Sequence, residues 1–81
     1  MRHSEDYQAI LSLLIEQRTC ASMTQAEVAR ALKKPQSFVS KYERGERRLD
    51  FAETVALCKV FRIDPRWLLS EFMKRKSGTD V

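Results

Sequence analysis

Near the N-terminus, apolar residues recur every three or four positions, which is the spacing of one face of an α-helix. The residues that follow this spacing are Tyr7, Ile10, Leu11, Leu14, Ile15 and Arg18. Ser4 can cap such a helix, and Glu5 and Asp6 stand in its first turn, where carboxylates oppose the positive end of the helix dipole. The pattern therefore predicts a first helix that packs this stripe against a core.

A second helix is predicted from the stretch MTQAEV, in which Glu27 follows Thr24 by three positions. This spacing forms a capping box, because each side chain can bond the backbone N–H of the other residue. The helix should run to about Leu32 or Lys33. Small alanines along it would let another helix approach closely.

A third helix should follow after only a few residues and span about Pro35 to Arg44. Proline suits the first turn of a helix, where a missing N–H costs nothing. Gly45 suits the position just beyond the last turn, because glycine tolerates a left-handed backbone. Two helices joined by so short a connection indicate a helix-turn-helix.

Two further helices are predicted from their capping residues. Asp50 and Glu53 form an acidic capping box at the start of a fourth helix, about Phe51–Phe61. Asp64 and Pro65 suit the N-cap and the first position of a fifth helix. The apolar residues of this fifth helix are Trp67, Leu68, Leu69, Phe72 and Met73.

The chain of 81 residues suits one small domain. It contains two Gly and two Pro, and no stretch shows strand-like alternation. We therefore expect a compact all-α domain over residues 5–73, between an N-terminal tail, 1–4, and a flexible C-terminal tail, 74–81.

Side chains that carry out chemistry are sparse. His3 is the sole histidine, and Cys20 and Cys58 lie far apart without a CxxC pair. We expect reduced thiols and neither a metal site nor a cofactor. Because no catalytic constellation or phosphate-binding glycine loop is present, we do not expect an enzyme. No signal peptide or membrane span is visible, which favours a cytoplasmic, nucleoid-associated protein.

The positive charge is concentrated in one segment. The chain has 15 basic and 11 acidic residues, a net charge of +4. The segment Lys33–Arg48 has six basic residues against Glu43 and Glu46, so it accounts for the whole excess. A basic segment that contains a predicted helix-turn-helix points to an anionic partner such as DNA.

The third helix has two different faces. Phe38, Val39 and Tyr42 lie together at helical spacing and should face the core. The opposite face has no apolar residue and consists of Gln36, Ser37, Ser40, Lys41 and Arg44. A polar helix face is usually only solvated surface. Here the short turn, the capped helix before it and the concentrated charge favour a surface that reads DNA.

The side chains of this outward face suit the edges of bases. Gln can pair with adenine, Lys can donate to guanine, and Ser can bond either. Base contacts concentrate in the first turn of a recognition helix. The predicted base-reading residues are Gln36, Ser37 and Lys41, with Ser40 beside them. The predicted phosphate-binding residues are Gln25, Lys34, Arg44, Arg47 and Arg48.

The stretch TQAEVARALKKPQSFVSKYERGERR, Thr24 to Arg48, resembles the helix-turn-helix of the Cro/CI-type (XRE-like) regulators of phages and bacteria. The residues that carry the resemblance are Thr24, Gln25, Val28, Ala29, Val39, Ser40, Tyr42, Glu43, Gly45 and Arg47. The resemblance covers about residues 5–73. It implies a five-helix, lambda-repressor-like domain whose helix-turn-helix motif spans about residues 24–44.

The resemblance also implies roles for individual residues. Gln25 would contact a phosphate and brace the recognition helix, and Glu43 would form a structural ion pair with Arg18. Lys33 replaces the glycine that is usual at the end of the second helix, and a left-handed lysine costs on the order of 1 kcal/mol. Pro35 replaces the usual hydroxyl cap of the third helix.

The expected function is that of a transcriptional regulator that binds specific sequences in double-stranded DNA, acting as a repressor and as a homodimer. The alternative is an antitoxin-like or co-regulator module of the same fold, whose main partner is another protein. No membrane or small-molecule ligand is expected. The candidate dimer interface, for which core packing is the alternative, consists of Trp67, Leu68, Phe72 and Met73.

Overall fold

The computed structural model describes residues 5–80, with side chains described through Arg75. Within this range the chain forms five α-helices and no strand. The helices are α1 (Glu5–Cys20), α2 (Gln25–Leu32), α3 (Gln36–Glu43), α4 (Phe51–Phe61) and α5 (Pro65–Asp80). The all-α prediction is confirmed. The predicted cap at Ser4, the tail 1–4 and His3 lie outside the described residues.

Both predicted capping boxes are present. Glu27 N donates to Thr24 Oγ1 at 3.0 Å, and Thr24 N donates to Glu27 Oε1 at 2.8 Å. Asp50 and Glu53 form the same pair of bonds at the start of α4. Helix α3 begins differently, because Pro35 stands at the N-cap with an extended backbone and not in the first turn. These capping boxes thus fix where α2 and α4, the two helices on either side of α3 in the chain, begin.

The ends of α1, α2, α3 and α4 share one backbone pattern. At each end a residue takes a left-handed conformation, and its own N–H and that of the next residue donate back to carbonyls of the last turn. The left-handed residues are Ser22, Lys33 and Arg62, with φ of 56°, 60° and 62°, and Gly45 with φ of 80°. Lys33 therefore adopts the left-handed conformation that the family resemblance implies. Sequence patterns did not predict the same conformation at Ser22 or Arg62.

Helix α5 is longer than predicted. Its backbone continues to Asp80, beyond the predicted domain boundary at residue 73. The reason is that the turn after Met73 makes its own contacts. Arg75 donates to both carboxylate oxygens of Glu16 on α1, at 3.1 and 2.9 Å. This pair adds a contact between α1 and α5 beyond the last apolar residue of α5.

The core lies where α1 crosses the other helices, since α1 packs against α3, α4 and α5. Leu13 is fully buried although it falls outside the predicted stripe of α1. A helix with neighbours on several sides buries a wider arc than one apolar stripe. The buried apolar residues are Leu11, Leu13, Leu14, Val28, Ala29, Phe38, Val39, Tyr42, Leu57, Cys58, Phe61 and Leu68.

Candidate nucleic-acid interface

The outer face of α3 is polar and accessible. Gln36, Ser37 and Lys41 are exposed, and Ser40 is half-buried beside them. The inner face of the same helix is closed, because Phe38, Val39 and Tyr42 belong to the core. The structure therefore presents the four predicted base-reading residues together on one rigid, accessible surface.

Helix α3 is anchored at both of its ends through Phe38. The Nζ atom of Lys34 lies 5.1 Å from the centre of the Phe38 ring, and Cζ of Arg47 lies 4.6 Å from it. The Tyr42 ring meets the Phe38 ring edge-on, with centroids 5.6 Å apart. Cations over an aromatic face are attracted by its quadrupole. The residues before and after α3 are thus held against the same ring.

Arg47 makes most of its polar contacts inside the domain. Its Nη1 and Nη2 atoms donate to the two carboxylate oxygens of Glu53 at 2.9 and 3.0 Å. Nη1 also donates to the carbonyl of Arg48 at 2.8 Å. The predicted phosphate contact of Arg47 would have to share these donors with Glu53. Its described contacts join the loop after α3 to the start of α4.

Glu43 is the centre of a hydrogen-bonded cluster at the other side of α3. Arg18 donates to both of its carboxylate oxygens, with Nε 2.7 Å from Oε2 and Nη2 3.1 Å from Oε1. The pair is largely buried, because 19% of the Arg18 side chain and 7% of the Glu43 side chain are exposed. The hydrogen bond from Arg18 to Glu43 raises the pKa of the guanidinium. The ion pair implied by the family resemblance is present.

Gln25 joins the same cluster. Its Nε2 donates to Glu43 Oε1 at 2.8 Å, so the first residue of α2 contacts the last residue of α3 directly. Arg18 Nη1 also donates to the carbonyl of Met23, in the turn before α2. Glu43 therefore holds α1, α2 and α3 in one arrangement. The phosphate contact of Gln25 remains a prediction.

The loop after α3 is also attached to α1 through Tyr7. The Tyr7 hydroxyl accepts a hydrogen bond from Leu49 N at 3.0 Å, and Cζ of Arg48 lies 4.7 Å from the centre of the Tyr7 ring. Sequence reasoning assigned Tyr7 only to the apolar stripe of α1. In the sequence, a tyrosine in the apolar stripe of α1 and an arginine-rich loop after α3 are only weak indications that Tyr7 contacts this loop. Only the fold brings the two segments together.

Arg44 closes α3 on the side of the polar face. Its guanidinium donates two hydrogen bonds to the carboxylate of Glu46. The Nη1 atom of Arg44 lies 3.4 Å from the hydroxyl oxygen of Ser40. Both charged side chains of the pair are more than half exposed. The partner of Arg44 was not identified from sequence. Arg44, a predicted phosphate-binding residue, thus has the acidic Glu46 beside it on the same surface.

A family model described as helix-turn-helix matches residues 14–68. The chain is also similar to a solved structure described as an XRE-family like protein from Pseudomonas syringae pv. tomato, with 48% sequence identity and a TM-score of 0.85 over 90% of this chain and 89% of that chain. The chain belongs to the XRE family of helix-turn-helix proteins. A search of curated proteins found no match.

Membership in the XRE family establishes the general activity. Domains of this family are DNA-binding transcription regulators and not enzymes, and this protein is a regulator of that type. The predicted family, fold class and absence of catalysis are confirmed. The matched range includes all of α3, and its role as the helix that reads bases stays a prediction.

The described part of this XRE-family domain has no other candidate chemistry. Among its described residues, no three His, Cys, Asp or Glu side chains are grouped closely enough to hold a metal ion. Cys20 is exposed and Cys58 is buried, and both are free thiols. Burial raises the pKa of the Cys58 thiol, which keeps it protonated. No helix in the same range is long and apolar enough to cross a membrane.

The apolar surface of the XRE-family domain lies on α4 and α5. Phe51 is 82% exposed, and Trp67, Leu69 and Met73 are also exposed, while Phe72 is half-buried against the core. Leu68 is only 6% exposed. The proposal of Leu68 as an interface residue is therefore corrected, because α5 packs this position against the domain's own core.

A groove of about 490 Å³ lies beside Phe51. Residues of α1, α4 and α5 line it, among them Ile10, Val55 and Leu69. A large apolar side chain thus projects next to an apolar groove on the same face. The sequence pattern had pointed to α5 alone and had placed Phe51 only as the first residue of α4.

Proposed function

We propose that the protein is a repressor that recognises a specific sequence in double-stranded DNA with α3 and binds as a homodimer. The observation that carries this proposal is the two-sided build of α3. Its inner face is buried and pinned by the Phe38 and Glu43 clusters, while Gln36, Ser37 and Lys41 stand exposed on its outer face. A rigid helix with free hydrogen-bonding side chains can discriminate between bases.

In this proposal the first turn of α3 enters the major groove. Gln36 suits a bidentate contact to adenine, Lys41 suits guanine O6 and N7, and Ser37 can bond either kind of base. Ser40 lies about one turn after Gln36 and directly before Lys41. These contacts select the sequence, and each good one discriminates against a wrong base by about 1–3 kcal/mol.

Phosphate contacts would set the register of the domain on the duplex. Lys34 and Arg48 are exposed on either side of α3, and Gln25 stands at the N-terminus of α2, where helix N–H groups attract anions. Lys34 also remains close to the Phe38 ring. These contacts supply affinity without sequence preference.

The dimer is supported by the face that carries Phe51. Exposed Phe51 and Leu69 line a groove large enough for an aromatic side chain. A two-fold axis at this face would let each copy place its Phe51 in the groove of the other, which makes the surface self-complementary. Two recognition helices would then meet half-sites roughly 34 Å apart, one helical turn of DNA.

Repression is the mode of action that needs the fewest additional contacts. A domain bound at its site excludes other proteins from the same DNA, whereas activation requires a productive contact with the transcription machinery. The alternative role as an antitoxin-like or co-regulator module would use the Phe51 face for a different protein. Co-purification of a stoichiometric protein partner would favour that alternative.

Selection of bound sequences from random duplex DNA tests the proposal. We expect an enriched motif with two-fold symmetry and half-sites about one helical turn apart. Lys41→Ala and Gln36→Ala should each relax the preference at particular positions of that motif. Lys59→Ala, which removes an exposed cation of α4 that does not line the groove, is a suitable control and should leave the motif unchanged. An unchanged motif with Lys41→Ala would contradict the assignment of the reading face.

A further inference from the structure

Arg44 and Glu46 form an ion pair where α3 ends. Nε of Arg44 donates to Glu46 Oε2 and Nη2 donates to Oε1, both at 3.0 Å. The two side chains are 56% and 55% exposed, so the pair does not neutralise a buried charge. Exposed pairs of this kind contribute little to stability. Its place beside the reading face suggests a role in DNA binding.

The backbone holds Glu46 in a defined position. Glu46 N donates to the carbonyl of Lys41 at 2.8 Å, and Gly45 N donates to the carbonyl of Tyr42 at 3.0 Å. These two bonds close the last turn of α3 around Gly45, whose φ is 80°. The carboxylate of Glu46 is therefore carried on an ordered turn.

The pair occupies the part of Arg44 that binds oxyanions best. A guanidinium grips a carboxylate or a phosphate with two parallel N–H donors, and Glu46 already engages Nε and Nη2. The remaining Nη1 lies 3.4 Å from the hydroxyl oxygen of Ser40, on the reading face. Arg44, and more weakly Lys41, lower the pKa of Glu46, so the carboxylate is charged at neutral pH.

We propose that Glu46 is a specificity-determining residue that reduces binding to arbitrary DNA by occupying the guanidinium of Arg44. At a non-specific site the domain has mainly phosphates to contact, and these must displace Glu46 before Arg44 can bind them. At the specific site the base-reading residues of α3 provide the contacts, and Arg44 keeps its bonds to Glu46. The inference rests on the proposed function of α3 as the reading helix.

The variant Glu46→Gln tests this inference, because it keeps the shape of the side chain and removes its charge. Affinity should be measured by titration at several salt concentrations for a duplex carrying the selected motif and for one with that motif scrambled. We expect scrambled DNA to be bound about twofold to fivefold more tightly. The salt dependence on scrambled DNA should steepen by about one unit, as one added phosphate contact requires.

For the duplex that carries the selected motif, Glu46→Gln should increase affinity less, so that the ratio of specific to non-specific affinity falls. Glu71→Gln is the matched control, since it makes the same change of charge on α5, where Glu71 pairs with Lys74. Equal effects of Glu46→Gln and Glu71→Gln would overturn the inference. An equal gain on both duplexes would also overturn it.

The same measurement in an Arg44→Ala background tests whether Glu46 acts through Arg44. There we expect Glu46→Gln to have little effect on scrambled DNA. An undiminished gain without Arg44 would mean that Glu46 acts by general repulsion, which contradicts the inference. A wild-type chain that binds both duplexes equally would instead contradict the proposed function, and the inference with it.

Discussion

Nε of Arg18 lies 2.7 Å from Oε2 of Glu43, which joins the last turn of α1 to the last residue of α3. The pair is largely shielded from water, and Gln25 donates to the same carboxylate. Removing one member leaves the other charge poorly solvated. The orientation of α3 therefore depends on a largely buried contact inside the domain.

We expect Glu43→Ala to lower the free energy of unfolding by about 2–4 kcal/mol, because the largely buried Arg18 loses its counter-charge. Chemical denaturation followed by circular dichroism measures this loss. Glu16→Ala is the control, since Glu16 pairs with Arg75 at an exposed position and should contribute less than about 1 kcal/mol. Equal losses for the two variants would show that the Arg18–Glu43 pair has no special structural role.

We expect Lys33→Gly to stabilise the domain by about 1 kcal/mol, because glycine adopts the left-handed backbone without the strain of a side chain. Lys33 has φ of 60° at the end of α2. For a domain of this size, the melting temperature should rise by about 4–8 °C. Lys34→Gly should bring no gain, since Lys34 is not among the residues of positive φ. A lower melting temperature for Lys33→Gly would contradict the prediction.

We expect Tyr42→Phe to leave stability unchanged or to increase it. The Tyr42 hydroxyl is buried, and it forms no hydrogen bond with a described group. Burial raises the pKa of Tyr42, and an unpaired buried hydroxyl costs about 1–3 kcal/mol. Tyr7→Phe is the matched control, because it removes the hydroxyl that accepts from Leu49 N and should be destabilising. Thermal melts of both variants measure these effects. A clearly lower melting temperature for Tyr42→Phe would show that the Tyr42 hydroxyl forms a hydrogen bond, which contradicts the prediction.

We expect the ion pair of Glu53 with Arg47 to make stability depend on pH. Hydrogen bonds from Arg47, and then from the backbone of Asp50, lower the pKa of Glu53 from 4.5. A carboxyl with a lowered pKa in the folded state stabilises the fold above the unfolded pKa. That contribution is lost as the pH falls through the folded pKa.

Glu53→Gln removes this titrating group while a glutamine at N3 keeps the capping box of α4. The variant should be less stable than the wild type at pH 7, and the difference should shrink as the pH falls from about 5 to about 3. Denaturation curves at several pH values measure this difference in stability. Parallel pH dependences of wild type and variant would exclude a contribution from the Glu53–Arg47 pair.

Sequence patterns located the starts of α2, α4 and α5 and the division of α3 into a buried and a polar face, because these features depend on neighbours in the chain. The capping boxes of Thr24 with Glu27 and Asp50 with Glu53 each lie within three residues. The two faces of α3 follow from helical spacing alone, since Phe38 and Tyr42 recur one turn apart. The Arg18–Glu43 pair was expected only through the family resemblance.

Other features depended on which elements the fold brings together. Arg47 was predicted to bind phosphate, yet its described contacts are Glu53, Phe38 and the backbone of Arg48. An arginine side chain is long enough to reach several partners, so its choice is made by the packing of the loop on α4. Sequence spacing does not contain that information.

Local sequence thus determined where helices start, how α3 divides into two faces and where the positive charge lies, because short-range hydrogen bonds and helical periodicity decide these features. The tertiary structure decided that Leu13 and Leu68 are buried, that α5 continues past Met73 and that Glu46 engages Arg44. Burial depends on how many sides of a helix are covered by neighbours. The partner of a charged side chain likewise depends on which groups the folded chain places within its reach.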